Sequence, residues 1–215
     1  MTSQEKVQQV TSRETVLTRV RDALTDVVGD APAVPRAYRR SHAGSDTVGL
    51  FAERAADYRA EVTRVLPDKA RSAIATALHL RGVRNLVVPA GFPADLLPDG
   101  PWRLLSDSPP LTVRELDAAD AVLTTCALAI AVTGTLVLDA GPGQGRRALT
   151  LLPDYHLCVV RAADISGDVP EALERLRPRH PLTFVSGPSA TSDIELERVE
   201  GVHGPRTLDI LIIEP

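Results

Sequence analysis

Short apolar runs alternate with helical segments along most of the chain, and this alternation limits the possible folds more than any other feature. The runs at 85–90 (NLVVPA), 121–125 (AVLTT) and 207–213 (TLDILII) have the length and composition of buried strands. Helices between such strands indicate crossover connections, so the pattern predicts an α/β layered fold with a largely parallel sheet covered on both faces. The strands expected within 121–160 have no helix between them, which predicts some antiparallel pairing and therefore a mixed sheet.

The N-terminal part of the chain has a different character. Thr11 and Glu14 have the spacing of a capping box before an amphipathic run, and residues 30–45 are rich in Pro, Gly, Ser and Arg. We therefore expect an N-terminal helix and extended arm over 1–45, followed by an α/β domain over 46–215.

Three further helices decide the topology. Apolar residues at helical spacing predict one helix over 51–66, and Asp68 is expected to cap another helix that stops at Gly82. The residues between Ser186 and Thr207 are expected to form a helical crossover between the last two strands.

Composition argues against several classes of protein. The net charge of −4 and the pI of about 5.7 disfavour nucleic-acid binding, which requires a basic face. Neither the two cysteines, Cys126 and Cys158, nor the histidines have metal-ligand spacing, so no metal site is predicted. The sequence has no apolar run of about 18 residues and begins with a polar segment, so neither a membrane span nor a signal peptide is expected. A cytoplasmic location is predicted.

The first candidate site is the stretch 184–195 (FVSGPSATSDIE). Ser192 and Glu195 match a capping box, which explains the stretch as the start of a helix. A helix that starts at the carboxyl end of a parallel strand also presents free N–H groups to a ligand, so a binding loop is the competing interpretation. The candidate ligand-binding residues are Gly187, Ser189, Thr191 and Ser192.

The second candidate site is the stretch 201–206 (GVHGPR). His203 is either an exposed residue of a glycine turn or an acid–base group with Glu195 as its partner, and Arg206 is a candidate anion clamp. If a helix precedes this loop, the loop lies at the opposite end of the sheet from Ser189. The two loops would then meet only across a dimer or through a bent crossover.

The third candidate site is the turn Thr133-Gly134-Thr135 together with Arg147. A turn of small residues and an arginine are able to bind a carboxylate or a phosphate. The competing interpretation is a mobile hairpin loop in which Arg146 and Arg147 are solvated.

Three stretches resemble one family. The runs ALAIAVTGTLVLD, RRALTLLPDYHLCVV and FVSGPSATSDIELERVEGVHGPRTLDILI closely resemble the LutC/YkgG family of LUD-domain proteins, the lactate utilisation proteins, over roughly residues 45–215. The resemblance implies a three-layer α/β/α sandwich similar to the NagB/RpiA/CoA-transferase group. It also implies a system that oxidises L-lactate to pyruvate with iron–sulfur clusters in partner subunits. With two isolated cysteines this chain cannot hold a four-cysteine cluster, so no bound cofactor is expected on it.

One position departs from the family pattern. The family usually has a glutamate directly before Thr-Gly-Thr, and here that position is Val132. If the glutamate is a ligand or an acid in relatives, this chain has lost that role.

The resemblance favours an accessory subunit of a lactate-oxidising complex, with a small-molecule pocket at the strand ends. The alternative is a stand-alone enzyme or a metabolite-binding sensor for an anionic or acyl metabolite that carries CoA or phosphate. The sequence leaves open whether the chain is a catalyst and whether it forms a homo-oligomer.

Overall fold

The computed structural model describes residues 11–25, 34–37, 39–176, 180–192, 198–200 and 204–215. The chain divides into two compact units, Met1–Tyr38 and Arg39–Pro215. The boundary predicted at residue 45 stays a prediction.

The described secondary structure consists of five α-helices, two 3₁₀ turns and twelve strands. The helices are α1 (Ser12–Ala23), α2 (Thr47–Asp57), α3 (Pro67–Leu80), α4 (Val113–Asp117) and α5 (Val169–Arg175), and the 3₁₀ turns are Arg147–Thr150 and Ala162–Asp164. The strands are β1 (Glu61–Val65), β2 (Asn85–Val87), β3 (Arg103–Leu105), β4 (Ala121–Thr125), β5 (Leu128–Ile130), β6 (Thr135–Leu138), β7 (Tyr155–Arg161), β8 (Ile165–Ser166), β9 (Thr183–Val185), β10 (Ala190–Ser192), β11 (Arg198–Glu200) and β12 (Thr207–Ile213).

Helix α1 in the first unit begins as the sequence predicts. The Thr11 side chain accepts a hydrogen bond from the Glu14 backbone N–H, and Glu14 accepts one from the Thr11 backbone N–H. None of the residues of α1 is buried.

The second unit is built around a six-stranded sheet in which every described pairing is parallel. Its strand order is β1-β12-β7-β4-β2-β3. The α/β fold with a mostly parallel central sheet is therefore confirmed. The antiparallel pair expected within 121–160 is β5 with β6. It belongs to a second sheet of order β8-β5-β6-β9, so the single mixed sheet of the prediction is in fact two sheets.

Both faces of the six-stranded sheet are covered by apolar layers. Helix α3 packs on one face through Ala70, Ile74 and Leu78, which lie against the central strands. Helix α2 and the second sheet cover the other face, where Phe51 of α2 joins the core. Burial on two faces explains why β4, β7 and β12 are near-continuous apolar runs.

The prediction of one helix over 51–66 is wrong beyond residue 57, where α2 ends. Arg59 has a φ of +69°, outside the helical range, and the chain then enters β1. This edge strand pairs in register with β12, Glu61 opposite Asp209 and Val65 opposite Ile213. The next helix is capped at Leu66 with Pro67 at its first position, so Asp68 lies in the first turn and is not the cap. It stops before Gly82, as predicted.

The predicted helical crossover between Ser186 and Thr207 is also wrong. The described part of that segment contains the antiparallel pair of β10 and β11, with Thr191 opposite Val199. Ser192 is therefore a strand residue and not the cap of a helix.

Candidate functional site

The turn between β5 and β6 packs closely against the end of α2. Gly134 has a φ of +57°, and a Cβ on it would lie 2.6 Å from both the Ala55 nitrogen and the Arg54 carbonyl carbon. The Thr135 hydroxyl oxygen is 2.7 Å from Thr133 Oγ1 and 2.8 Å from Ser186 Oγ. Only glycine fits at position 134, and the hydroxyl contacts fix the turn to the end of β9.

Gly187 brings a second predicted loop to the same helix end. Its φ is +79°, and a Cβ on it would lie 2.3 Å from the Tyr58 carbonyl oxygen. The candidate residues Thr133, Gly134, Thr135 and Gly187 are therefore gathered at the C-terminus of α2.

The loops at 187–192 and 204–206 touch within one chain. The Ser189 backbone N–H donates to the Pro205 carbonyl oxygen at 2.8 Å. A Cβ on Gly204 would lie 3.3 Å from the Ser189 Cβ. The expectation that these loops lie at opposite ends of the sheet is wrong, because a strand pair connects them in place of a helix.

Two predicted catalytic residues, His203 and Glu195, lie outside the described residues, and their roles stay predictions. Thr191 and Ser192 are placed in β10 by their backbones, and their ligand contacts stay predictions as well.

A cavity of about 540 Å³ opens beside the Thr133 turn, and we call it the Thr133 cavity. Its volume is in the range of small-molecule sites. Four of its residues come from one side of α2 and the end of that helix, and one comes from the segment before it. It is lined by His42, Leu50, Arg54, Asp57, Tyr58, Val132 and Thr133.

His42 is held at this cavity by a buried acid. Its Nδ1 is 2.6 Å from Asp168 Oδ2, and its backbone N–H donates to the same oxygen at 2.9 Å. Asp168 caps α5 through its other oxygen, which accepts from the Val169 N–H. The hydrogen bond from His42 lowers the pKa of Asp168 below its ordinary value, so the carboxylate is charged at neutral pH.

Sequence reasoning missed this pair. A local signal exists for one partner, because Asp168 and Glu171 form a capping box around Val169 and Pro170. Nothing local marks His42, which is 126 residues away from its partner.

Arg54 is the cation of the Thr133 cavity, and it is only loosely paired. Its Nη1 lies 3.4 Å from Asp57 and 3.9 Å from Glu53, and its side chain is 46% exposed. The arginines that the sequence predicts to bind an anion lie elsewhere. Of the residues described, neither Arg147 nor Arg206 lines this cavity. Arg206 is exposed, with its Nε 3.7 Å from Asp154.

The loop between β6 and β7 is anchored through Arg146, so the interpretation of a solvated arginine pair is wrong for that residue. Arg146 makes two hydrogen bonds to the Asp107 carboxylate, at 2.8 and 3.0 Å, while Arg147 is exposed. The Arg146 bond lowers the pKa of Asp107. Gln144 in the same loop is buried and bonded to Asp139.

A second cavity, of about 550 Å³, lies between α3 and the amino ends of β1 and β12. We call it the Arg81 cavity after one of its lining residues. Arg81 binds Glu61 at 2.7 Å and Asp209 at 3.0 Å, and the Tyr155 hydroxyl donates to Asp209. Burial, reinforced by the Asp209 carboxylate, raises the pKa of Tyr155.

A third, smaller cavity of about 150 Å³ lies at the carboxyl ends of β4 and β7. Thr125, Cys126, Arg161 and Asp164 are among its lining residues. Within the described residues, no group of three or more His, Cys, Asp and Glu side chains is placed to hold a metal ion. In the same part of the chain, no helix has the length and apolar character needed to cross a membrane.

Comparisons with known proteins give a consistent result. A family model described as the LUD domain matches residues 106–213. Lactate utilization protein C of Deinococcus radiodurans is 52% identical over 167 residues, which are 76% of this chain and 77% of that protein. Lactate utilization protein C of Shouchella clausii is 29% identical over 110 residues, 48% of each chain. The protein YkgG of Escherichia coli is 41% identical over 90 residues, 38% of each chain.

A solved structure has the same fold. The crystal structure of a DUF162 family protein from Deinococcus radiodurans matches with a TM-score of 0.69 and 42% sequence identity. The match covers 82% of this chain and 99% of that one.

Proposed function

The chain belongs to the LUD domain family, and from this premise we propose that it is a component of a lactate utilisation system. The observation that carries the proposal is the 52% identity to a lactate utilization protein C over 77% of that protein's length. Identity at this level over most of a domain favours a shared role over a shared fold alone.

Within that system the chain is an accessory subunit, and the oxidation of L-lactate to pyruvate takes place with iron–sulfur clusters of partner subunits. The cysteine content supports this division. The chain has two cysteines, Cys126 and Cys158, whereas a cluster of the usual kind needs four thiolate ligands. Both lie in or beside the apolar core of the central sheet.

The subunit binds a small molecule in the Thr133 cavity. The cavity is formed where the conformationally restricted Gly134 turn meets α2. Its lining includes an imidazole, a guanidinium, a carboxylate, two hydroxyl groups and two apolar side chains. A rigid wall with a few convergent polar groups is the usual form of a small-molecule site.

Disruption of the gene in the native host tests the proposal. Growth on L-lactate as the carbon source is expected to be lost, while growth on glucose is retained, and the intact gene restores growth. An affinity-tagged chain purified without oxygen is expected to bring iron–sulfur proteins with it. Unimpaired growth of the disrupted strain on lactate contradicts the proposal.

A second candidate function is a stand-alone enzyme or a sensor for an anionic metabolite. The observation that favours it is the His42–Asp168 pair at the Thr133 cavity, since an oriented imidazole is a common acid–base group. Turnover of a metabolite by the purified chain supports the enzyme. Thermal stabilisation without turnover supports the sensor, because a ligand at a hundredfold its dissociation constant adds about 2.7 kcal/mol.

A further inference from the structure

Besides the Asp57 carboxylate, which pairs with Arg54, and the hydroxyls of Tyr58 and Thr133, the Thr133 cavity presents three different chemical surfaces to a ligand. Arg54 supplies a cation, His42 supplies an imidazole anchored by an acid, and Leu50 and Val132 supply an apolar wall. A ligand that satisfies all three has an anionic group, a second polar oxygen and a short alkyl group.

The guanidinium of Arg54 is available to an anion. Its partners Asp57 and Glu53 lie on the same helix at 3.4 and 3.9 Å, and their side chains are 59% and 63% exposed. Exposed pairs with this geometry contribute little to stability, so they exchange readily. The planar fork of a guanidinium fits both oxygens of a carboxylate, which is a stronger contact than either pair it replaces.

Among the described residues, one nitrogen of the His42 imidazole has no hydrogen-bond partner. Its Nδ1 is occupied by Asp168, whose carboxylate is 8% exposed and is itself held by the Val169 N–H. Among the described residues no hydrogen bond reaches Nε2 of His42. Because the Asp168 carboxylate only accepts, Nδ1 carries a proton. Nε2 then accepts from a ligand hydroxyl when the ring is neutral, and it donates to a hydroxyl or carbonyl oxygen when the ring is protonated.

We propose that the Thr133 cavity binds a small carboxylic acid that carries an oxygen on the carbon next to the carboxylate, a 2-hydroxy or 2-oxo acid. Arg54 binds the carboxylate, His42 Nε2 binds the neighbouring oxygen, and Leu50 and Val132 contact the alkyl group. The inference rests on the proposed function only for the choice of L-lactate and pyruvate as probes.

Calorimetric titration of the full chain with four ligands separates the contributions of the groups. L-Lactate and pyruvate are expected to bind. Propionate keeps the carboxylate and lacks the second oxygen, so it is expected to bind about tenfold more weakly. Lactamide keeps the hydroxyl group and lacks the charge, so it is expected to bind about tenfold to a hundredfold more weakly.

Matched variants assign the contacts. Arg54→Gln is expected to weaken L-lactate binding by about tenfold or more. Arg71→Gln, on α3, removes a similarly exposed arginine that pairs with the loop residue Asp99, and it is expected to leave binding unchanged. Asp57→Asn removes the competitor of the ligand carboxylate and is expected to tighten binding. His42→Leu is expected to reduce lactate affinity to that of propionate, with folding checked by thermal unfolding.

Three results overturn the inference: no binding of L-lactate or pyruvate, equal binding of lactate and lactamide, or equal binding by wild type and Arg54→Gln. Absence of binding would also count against the small-molecule site proposed for this cavity. The role in lactate utilisation is tested separately, by growth of the disrupted strain. If Arg54→Gln restores growth on lactate, the proposed function stands and the cavity is not needed for it.

Discussion

The two large cavities contain similar charged groups and use them differently. In the Arg81 cavity, Arg81 lies between Glu61 and Asp209, and the same Asp209 accepts from Tyr155. In the Thr133 cavity, the partners of Arg54 among the described residues are distant and lie on its own helix. A cation whose hydrogen bonds are filled by the fold holds elements together, whereas a cation with weak partners remains available to a ligand.

The difference follows from where each group sits in the fold. Asp209 lies on β12, a central strand, and its side chain is 12% exposed. A charge that far from water is tolerated only with partners of its own, and here they are Arg81, directly after α3, and Tyr155 of β7. Arg54 lies on the outside of α2, where water solvates it and no such requirement applies.

The largest expected effect tests the Arg81 cavity as a structural unit. Asp209→Ala leaves Arg81 and the Tyr155 hydroxyl without their shared partner and is expected to cost about 3 kcal/mol of unfolding free energy. Urea unfolding followed by the fluorescence of Trp102, the single tryptophan, measures it. Asp99→Ala removes a fully exposed carboxylate of a comparable pair and is the control, expected to change stability by less than about 0.5 kcal/mol. Equal effects of the two variants would show that Asp209 is no more important to stability than an exposed carboxylate.

The next effect tests the rigidity of the wall of the Thr133 cavity. Gly134→Ala places a Cβ against the backbone of α2 at a positive φ, and we expect a loss of about 2–3 kcal/mol together with weaker ligand binding. Gly82→Ala is the matched control, since Gly82 has a φ of +65° and open space around its Cβ position. It is expected to cost about 1 kcal/mol, from the left-handed conformation alone. A loss at position 134 no larger than that at position 82 would show that α2 yields to the turn.

A smaller effect tests the acid that holds His42 at the Thr133 cavity. Asp168→Asn keeps a side chain that caps α5 but removes the charge beside His42, and we expect a loss of about 1 kcal/mol at pH 6. The folded state lowers the pKa of Asp168, so its contribution is complete above the unfolded pKa of about 3.9 and is lost as the pH falls through the folded value. The difference between wild type and variant, measured by urea unfolding at several pH values, should therefore shrink on acidification. A difference that grows as the pH falls would contradict the assignment.

The central strands could be predicted from sequence because they are buried on both faces. The predicted runs 121–125 and 207–213 coincide with β4 and β12. The sequence does not distinguish the edge strand β1 from a continuation of α2. Val62 continues the apolar helical spacing, and Glu61, Thr63 and Arg64 are exposed. Only the pairing with β12, which is a long-range contact, selects the strand.

The turns of the candidate site could be predicted from sequence, whereas its long-range contacts could not. Turn glycines such as Gly134 and Gly187 are visible in a sequence because the turn needs a residue without a Cβ. The contact between Ser189 and Pro205 was not visible, since a capping-box pattern at Ser192 favoured a helix locally. Strand pairing between β10 and β11 overrides that local preference.

The smallest expected stability effect gives the sharpest test of the contrast between Arg54 in the Thr133 cavity and Arg81 in the Arg81 cavity. Arg54→Gln removes a cation whose pairs are distant and exposed, so its unfolding free energy should stay within about 0.5 kcal/mol of wild type. Arg81→Gln keeps a similar volume but leaves Asp209 without its ion pair, and it is expected to cost about 2 kcal/mol or more. Both are measured by urea unfolding, and L-lactate titration of the same samples should show loss of binding only for Arg54→Gln. If Arg54→Gln destabilises the chain as much as Arg81→Gln, Arg54 is a structural cation and the ligand site must be sought elsewhere.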